Sequence, residues 1–153
     1  MRLIMFNSKN PTTQLLGRWQ PWHDGHTALF KKALLETGQV CIMIRDVTGI
    51  MGKDAGADRT DTRQDDNPFD LETVIENIKN GLQAAGFTYE EEYIIMMVPN
   101  IVDISYGRGV GYTFTEHDLG KDIHGISATQ IRAQLRAQGK LLPTTPQKTS
   151  NNG

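Results

Sequence analysis

Two histidines, His23 and His26, stand three residues apart with Asp24 and Gly25 between them. Imidazoles at this spacing could ligate a metal, pack in a core or donate hydrogen bonds to a phosphate. No other histidine, cysteine or acidic cluster gives a convincing structural zinc spacing, and the motifs His-Glu-x-x-His and His-x-x-Glu-His are missing. We therefore predict no dedicated metal site. Pro21, just before the pair, favours an exposed turn over a packed face.

The residues that follow the pair predict a helix, with an apolar stripe across Thr27–Glu36 and a stop at Gly38. The start of a helix offers free backbone N–H groups and the positive end of its dipole, which suit an anion. Gly25 would let a phosphate approach the backbone, and the two imidazoles, whose charge adjusts near neutral pH, could donate to its oxygens. The turn could therefore stabilise charge that builds up during phosphoryl or nucleotidyl transfer.

Apolar runs and amphipathic stretches alternate along the chain in the order of an α/β fold. The predicted strands are Gln14–Trp19, Val40–Ile44 and Tyr93–Val98, and Tyr112–Thr115 could form a fourth. Further helices are predicted from Asn67–Asp70 to Gly86 and from Ile126 to Gly139. We expect a Rossmann-like three-layer sandwich with a mostly parallel sheet, as one domain over residues 1–142 before a disordered tail, 143–153. Ligands bind beyond the carboxyl ends of such strands, where the histidine turn and the segments after the next two strands would converge.

Two connections need a choice between alternatives. The second predicted helix could be capped by Asn67, with Pro68 in its first position, or by Asp70. From Gly52 onward the preceding segment is polar and rich in glycine and aspartate, which predicts a loop. A loop of this length is usually functional or disordered, and we expect Thr48–Asp66 to be mobile without ligand.

Composition narrows the class of protein. The chain has 153 residues and a net charge of −2, so no global attraction to nucleic acid or to an anionic membrane is expected. No apolar run approaches the length of a membrane span, and no signal peptide is recognised. Its one cysteine, Cys41, lies in an apolar run and is interpreted as a small buried hydrophobic residue. A cytoplasmic protein is the expectation.

Two short segments carry a resemblance to a known family. Gly17-Arg-Trp-Gln-Pro-Trp-His-Asp-Gly-His26 resembles the GRxQPxHxGH form of the HxGH signature of the nucleotidyltransferase superfamily. Ile126-Ser-Ala-Thr-Gln-Ile-Arg132 resembles the ISxTxxR signature of the same superfamily. Asn67-Pro-Phe69 is similar to a segment of nicotinamide-mononucleotide (NMN) adenylyltransferases. The two signatures stand in the right order at either end of an α/β pattern, and the resemblance runs from about Leu15 to about Leu135.

The resemblance implies a reaction and a set of roles. A nucleoside triphosphate binds beside the histidine turn, a phosphate of a second substrate attacks its α-phosphorus, and pyrophosphate leaves without a covalent enzyme intermediate. His23 and His26 would hold triphosphate oxygens, Arg132 would grip the leaving phosphates, and Mg²⁺ would be held mainly by the phosphates. The remaining nucleotide-binding candidates are Gly17, Arg18, Trp19, Gln20, Gly25, Ile126, Ser127 and Thr129. The candidates for the second substrate are Trp22, Arg45, Asp46, Asn67 and Arg108.

Each assignment has a structural alternative. Ser127 and Thr129 could simply cap the last helix, and Arg132 could be a solvated helix arginine. An arginine such as Arg18 or Arg108 is more often a surface residue than a phosphate ligand. Of the two tryptophans in the first signature, we expect one in the core and one stacked on a ligand ring.

The form of the first signature favours the adenylyltransferase branch, with ATP as the nucleotide. NMN is the leading second substrate, although Pro99–Gly125 is shorter than the corresponding segment of NMN adenylyltransferases and Asp65-Asp66 replaces their usual arginine. A CTP-dependent cytidylyltransferase and a non-catalytic nucleotide-binding regulator are the alternatives. The expected partners are a nucleoside triphosphate and a small phosphorylated substrate. The sequence does not specify the oligomeric state, although relatives of this kind commonly form homo-oligomers.

Overall fold

The structure, a computed structural model, describes residues 5–47, 67–109 and 111–141. Its elements are β1 (Thr13–Gly17), α1 (Asp24–Thr37), β2 (Val40–Arg45), α2 (Leu71–Ala84), β3 (Tyr93–Val98), α3 (Lys121–His124) and α4 (Ala128–Ala137). The three strands form a parallel sheet in the order β1-β2-β3. Helices connect parallel strands, as the crossover between such strands requires. The predicted α/β class with a parallel sheet is therefore confirmed.

The register of the sheet brings the ends of its strands to one edge. Gly17 lies beside Ile44, and Arg45 lies beside Val98. The backbone N–H of Asp46 continues this pairing past the strand end by donating to the carbonyl of Val98 at 2.9 Å. The segments that leave β1 and β2 therefore start at the same carboxyl edge, as the sequence predicted.

Helix α1 begins earlier than the apolar stripe indicated. The stripe predicted a start at Thr27, whereas the helix starts at Asp24 with His23 as its N-cap. Histidine is not among the preferred N-cap residues, which is why the sequence did not show this start. At the other end Gly38 adopts the left-handed conformation (φ +89°) and donates to the carbonyl of Leu34, so the predicted stop is confirmed.

Helix α2 is capped by Asp70, whose carboxylate accepts from the backbone N–H of Thr73 at 2.8 Å. The alternative cap at Asn67 is therefore wrong. The buried face of the helix has the helical spacing that predicted it, and consists of Val74, Ile78 and Leu82. The helix ends at Ala84, two residues before Gly86, which is left-handed (φ +96°).

The core lies on the face of the sheet that α1 and α2 share. Its five largest fully buried side chains are Phe30 from α1, Ile78 and Leu82 from α2, and Ile42 and Tyr93 from the strands. Complete burial of one such side chain contributes about 1.5–3 kcal/mol. Trp19 and Trp22 belong to the same cluster and are 5% and 7% exposed. The expectation that only one of them would lie in the core is wrong.

The stretch after β3 differs from the prediction. Tyr112–Thr115 forms no strand, and Tyr112 and Phe114 are exposed. An alternating segment becomes a strand only when a neighbouring strand pairs with its backbone, and no such pairing occurs within the described residues. The short helix α3 was not predicted. Helix α4 begins at Ala128 and runs to Ala137, close to the predicted stop at Gly139.

Several expectations concern residues outside the described ranges, namely the loop Thr48–Asp66 and the tail 143–153. The expectation for Cys41 is confirmed, because the residue is buried and burial raises the pKa of its thiol. Within the described part of the chain, every helix is too short or too polar to cross a membrane.

Candidate functional site

The histidine turn is built as the cap of α1. The Nδ1 atom of His23 accepts from the backbone N–H of Gly25 at 3.0 Å, and the Nδ1 atom of His26 accepts from the backbone N–H of His23 at 3.2 Å. The two rings stack with their centroids 3.7 Å apart. Because each Nδ1 is an acceptor, a neutral ring carries its proton on Nε2. Both imidazoles can therefore donate to a ligand through Nε2 only.

Burial sets the charge of this pair. Desolvation, together with a smaller effect of the neighbouring His23, lowers the pKa of His26 to about 3. Desolvation also lowers the pKa of His23, with a smaller opposing effect from Asp24. For His26, the expectation of an imidazole that changes charge near neutral pH is therefore wrong in the ligand-free protein. Both rings are mainly neutral at pH 7, and they act as hydrogen-bond donors.

The two tryptophans explain the desolvation of His26. The Trp19 ring meets His26 edge to face at 4.8 Å between centroids, and the Trp22 ring lies at 5.3 Å. Both indole N–H groups are used inside the protein, by the carbonyl of Met43 at 3.0 Å and by the hydroxyl of Thr27 at 2.9 Å. The tryptophans therefore form the wall behind the histidine pair.

Glycines make room for these rings. A Cβ atom on Gly25 would lie 2.8 Å from Cε1 of His23, and one on Gly17 would lie 2.9 Å from Cζ2 of Trp19. From the sequence we interpreted Gly25 as making space for a phosphate. In the structure, the His23 ring occupies the space that a side chain at position 25 would need. Gly81 of α2 likewise leaves room for the Trp22 ring, because a Cβ atom on Gly81 would lie 2.8 Å from Cδ1 of Trp22. No sequence motif pointed to Gly81.

The segment before α2 is attached to the turn by Gln20, which is 8% exposed. The Nε2 atom of Gln20 donates to the carbonyl of Phe69 at 3.1 Å, and the N–H of Phe69 donates to its Oε1 at 2.9 Å. Beside it, Nη1 of Arg18 donates to Oδ1 of Asn67 at 3.2 Å. The first signature and the Asn67-Pro-Phe69 segment are therefore in direct contact. The amide of Gln20, a predicted nucleotide ligand, is occupied by protein backbone.

The second signature reaches the same turn through Arg132, which is 3% exposed. Its Nη1 donates to the carbonyl of Gln20 at 2.7 Å and its Nη2 donates to Oγ1 of Thr129 at 3.2 Å. The alternative of a solvated helix arginine is therefore wrong. Ser127 is the N-cap of α4, with its hydroxyl accepting from the N–H of Gln130 at 3.3 Å, as its structural alternative proposed. Ile126 lies just before this cap and is partly buried.

The candidates for the second substrate divide into two groups. Arg45 and Asp46 stand at the carboxyl end of β2, where Asp46 is buried and the Nε atom of Arg45 is buried without a hydrogen-bond partner among the described residues. A buried guanidinium N–H without a partner is costly, and an incoming acceptor would relieve that cost. Arg108 is exposed on the irregular segment after β3. Within the described ranges, no three histidine, cysteine or acidic side chains are grouped as metal ligands.

The fold and the site together define an α/β protein with a capped, polar turn at the carboxyl edge of a parallel sheet. No protein-family model matches the chain, and no curated protein matches it. It is similar to a bifunctional NMN adenylyltransferase/ADP-ribose pyrophosphatase from Francisella tularensis, solved with AMP and a manganese ion. That match has 26% identity and a TM-score of 0.46, and covers 59% of this chain and 23% of the other. A second structure of a bifunctional NMN adenylyltransferase/ADP-ribose pyrophosphatase from Francisella tularensis gives 26% identity, a TM-score of 0.44, and 59% and 22% coverage. The match thus spans under a quarter of that protein's length, and the α/β assignment rests on the strand order and register of this chain.

Proposed function

We propose that this protein is a nucleotidyltransferase that transfers AMP from ATP to a small phosphorylated substrate and releases pyrophosphate. The observation that carries the proposal is the hydrogen bond from Arg132 to the carbonyl of Gln20, at 2.7 Å. It places the start of α4 against the histidine turn, although the two segments lie far apart in the sequence. Two signatures that resemble one superfamily are thus in contact, which supports the proposal that they share one site.

The proposed reaction needs alignment and charge stabilisation, and no group of the protein is covalently modified. An oxygen of the substrate phosphate bonds to the α-phosphorus of ATP while the bond from that phosphorus to the bridging oxygen of pyrophosphate breaks. The electron pair leaves with the pyrophosphate. The Nε2–H groups of His23 and His26 would donate to triphosphate oxygens, where preorganised donors are most effective. An anion within hydrogen-bond distance favours the charged form of an imidazole, so a bound triphosphate would raise the pKa values of His23 and His26.

The start of α4 is proposed to receive the β- and γ-phosphates. Its first N–H groups and the positive end of its dipole are suited to an anion, and Thr129 is exposed there. Arg132 contributes its positive charge from behind this helix start while it holds the Gln20 carbonyl. Direct contact between Arg132 and these phosphates, which the second signature implies, would require this buried side chain to move.

The second substrate is proposed to bind on the other side of the turn, near Arg18, Arg45 and Asn67. Two of these are already joined by the hydrogen bond from Arg18 to Asn67, and the Nε of Arg45 is available to an acceptor. A phosphate group suits guanidinium groups because it can accept several charge-assisted hydrogen bonds. NMN is the leading candidate because of the Asn67-Pro-Phe69 segment.

Mg²⁺ is the proposed cofactor. It binds oxygen ligands, keeps several waters and is commonly held through substrate phosphates with one or two carboxylates. The described residues fit this mode, because they offer single carboxylates such as Asp24 and Asp46 and no ready-made acidic group. When bound, the ion would neutralise part of the charge of the triphosphate.

Pyrophosphate release, measured with ATP or CTP across a panel of phosphorylated metabolites that includes NMN, tests the proposal. Release that requires ATP and one member of the panel is the expected result. Release with CTP alone would identify a cytidylyltransferase instead. Nucleotide binding without release for any pair would contradict transfer and indicate a nucleotide-binding regulator.

A further inference from the structure

Gln20 connects three segments of the site. Its side-chain amide pairs in both directions with the backbone of Phe69, at 3.1 and 2.9 Å, and its own carbonyl accepts from Arg132 at 2.7 Å. It is buried among these partners. The histidine turn, the start of α2 and the start of α4 therefore meet at one residue.

The chemistry of this link is specific to an amide. A primary amide offers a donor and an acceptor side by side, as a backbone peptide does, and each matches its complement on Phe69. A carboxylate could accept from the N–H of Phe69 but could not donate to its carbonyl. Because both ends of the amide are engaged with backbone, Gln20 is suited to fix a distance between two segments.

We infer that Gln20 is a positioning residue, which holds the 67–70 segment in register with the histidine turn and thereby aims the phosphorylated substrate at the α-phosphorus. This inference rests on the proposed function. The segment includes Asn67, which meets Arg18, and Asp70, which caps α2. A small shift of this segment would move the attacking phosphate while the nucleotide stays in place. Misplacement of about 1 Å can cost on the order of 100-fold in rate.

The chain contains a matched control in Gln39, which is also buried. Gln39 pairs in the same two-way manner with the backbone of Asn7, donating at 2.8 Å and accepting at 3.1 Å, but it does so where β2 begins, at the opposite edge of the sheet. Gln39 also donates to Oγ1 of Thr12 at 2.7 Å, so Gln39→Ala should lose at least as much stability as Gln20→Ala. The Gln20→Ala change keeps the backbone carbonyl that Arg132 binds, so it removes only the link to Phe69.

The test compares thermal stability, ATP binding and steady-state kinetics of the two variants with those of the unmodified protein. For Gln20→Ala we expect an ATP affinity within about 3-fold of the original and a loss of at least about 10-fold in kcat/KM for the phosphorylated substrate. Gln39→Ala should leave both quantities within about 2-fold. Gln20→Glu preserves size and one hydrogen bond, and should fall between Gln20→Ala and the original protein. It replaces Gln20→Ala if that variant does not fold.

Three outcomes would overturn the inference. Identical kinetics for the Gln20 and Gln39 variants would show that the Gln20 link only adds stability. Equal losses in ATP binding and in kcat/KM would place Gln20 on the nucleotide side. If the unmodified protein releases no pyrophosphate, the proposed function fails by itself, and amide exchange then tests the link. Gln20→Ala should accelerate amide hydrogen exchange at Phe69 and Asp70. Unchanged exchange would show that the hydrogen bonds from Gln20 do not restrain the 67–70 segment.

Discussion

The two buried glutamines, Gln39 and Gln20, lie at opposite ends of the sheet. The two ends differ in which polar groups lack a hydrogen-bond partner among the described residues. At the amino end, Gln39 holds Asn7 and also donates to Oγ1 of Thr12 at 2.7 Å. Among the described residues, the buried polar group without a hydrogen-bond partner at this end is the hydroxyl of Tyr93, which lies in the core. At the carboxyl end, Gln20 holds Phe69 in the same way. There, among the described residues, the Nε of Arg45 is buried without a partner, and the cap of α1 uses only the Nδ1 atoms of His23 and His26.

The difference is whether the polar group without a partner is enclosed in the core or can be reached by a ligand. A leftover hydroxyl enclosed by aromatic rings has no route to a ligand, so it is only a cost to stability. At the carboxyl edge, N–H donors without a partner belong to partly buried residues, so an anion could accept hydrogen bonds from them. A two-way glutamine-to-backbone pairing therefore serves stability alone at one end and, under the proposed function, stability together with binding at the other.

The largest expected effect is on turnover at the carboxyl end. His26→Ala should lower kcat by about 100- to 1,000-fold, because it removes the preorganised donor that we propose for the triphosphate. His26→Asn is the matched control for the cap, since its amide oxygen can accept from the N–H of His23 in place of Nδ1. Circular dichroism should show both variants folded. Near-normal turnover in His26→Ala would remove the assigned role.

The next largest effect is expected from replacing Gly17 by alanine, with Gly38 as the comparison. Gly17→Ala would push a Cβ to within 2.9 Å of the Trp19 ring in the core, which should cost about 1–3 kcal/mol and weaken ATP binding. Gly38→Ala has open space, but its φ of +89° is strained for alanine, so we expect a loss of about 1 kcal/mol and unchanged binding. Urea unfolding and calorimetric ATP binding would check both. Equal binding losses for the two variants would break the contrast between the ends.

A pH effect should follow from the buried imidazole of His26. Its pKa is about 3 in the folded protein and 6.5 for an ordinary histidine, as in the unfolded chain, so the unfolded chain binds the extra proton between these values. The stability contributed by neutral His26 is therefore complete above pH 6.5 and is lost as the pH falls toward 3. Between pH 7.5 and 5 we expect a decrease of about 1–2 kcal/mol in the free energy of unfolding. In His26→Asn this decrease should shrink, and an unchanged slope would contradict the burial of the ring.

The smallest effect is expected at the amino end. Tyr93→Phe removes a buried hydroxyl that has no hydrogen-bond partner among the described residues, so it should change stability by no more than about 1 kcal/mol, toward greater stability. Burial raises the pKa of Tyr93 to about 12, so the ring is neutral throughout the working pH range. Thermal unfolding would measure the change. A loss above this limit would reveal a partner for the hydroxyl and weaken the comparison of the two ends.

The strands and the helix faces could be predicted from sequence because their signals are local. The apolar run Tyr93–Val98 forms β3 with those bounds, and the helical spacing of Val74, Ile78 and Leu82 gives the buried face of α2. Alternation alone was not enough at Tyr112–Thr115, where strand formation depends on a partner distant in the chain.

Contacts between distant segments could not be predicted residue by residue. The signatures indicated which segments belong to the site, but not that the histidine rings would cap α1 or that Gln20 would bind Phe69. Gly81 is far from Trp22 in sequence, and only packing shows that its missing side chain leaves room for the indole. Such relations depend on three-dimensional neighbours, whereas sequence patterns report mainly periodicity, caps and turns.

The hydrogen bond from Arg132 to Gln20 also bears on the order in which the molecule assembles. It joins residues 112 positions apart. Contacts of such long range close large loops and form late, after local helices and neighbouring strands have organised. A nascent chain with α1 and the first two strands already in place would have the histidine turn without the helix that completes the site. We therefore expect nucleotide binding to appear only once α4 has been synthesised and has docked, which makes binding a measure of completed folding.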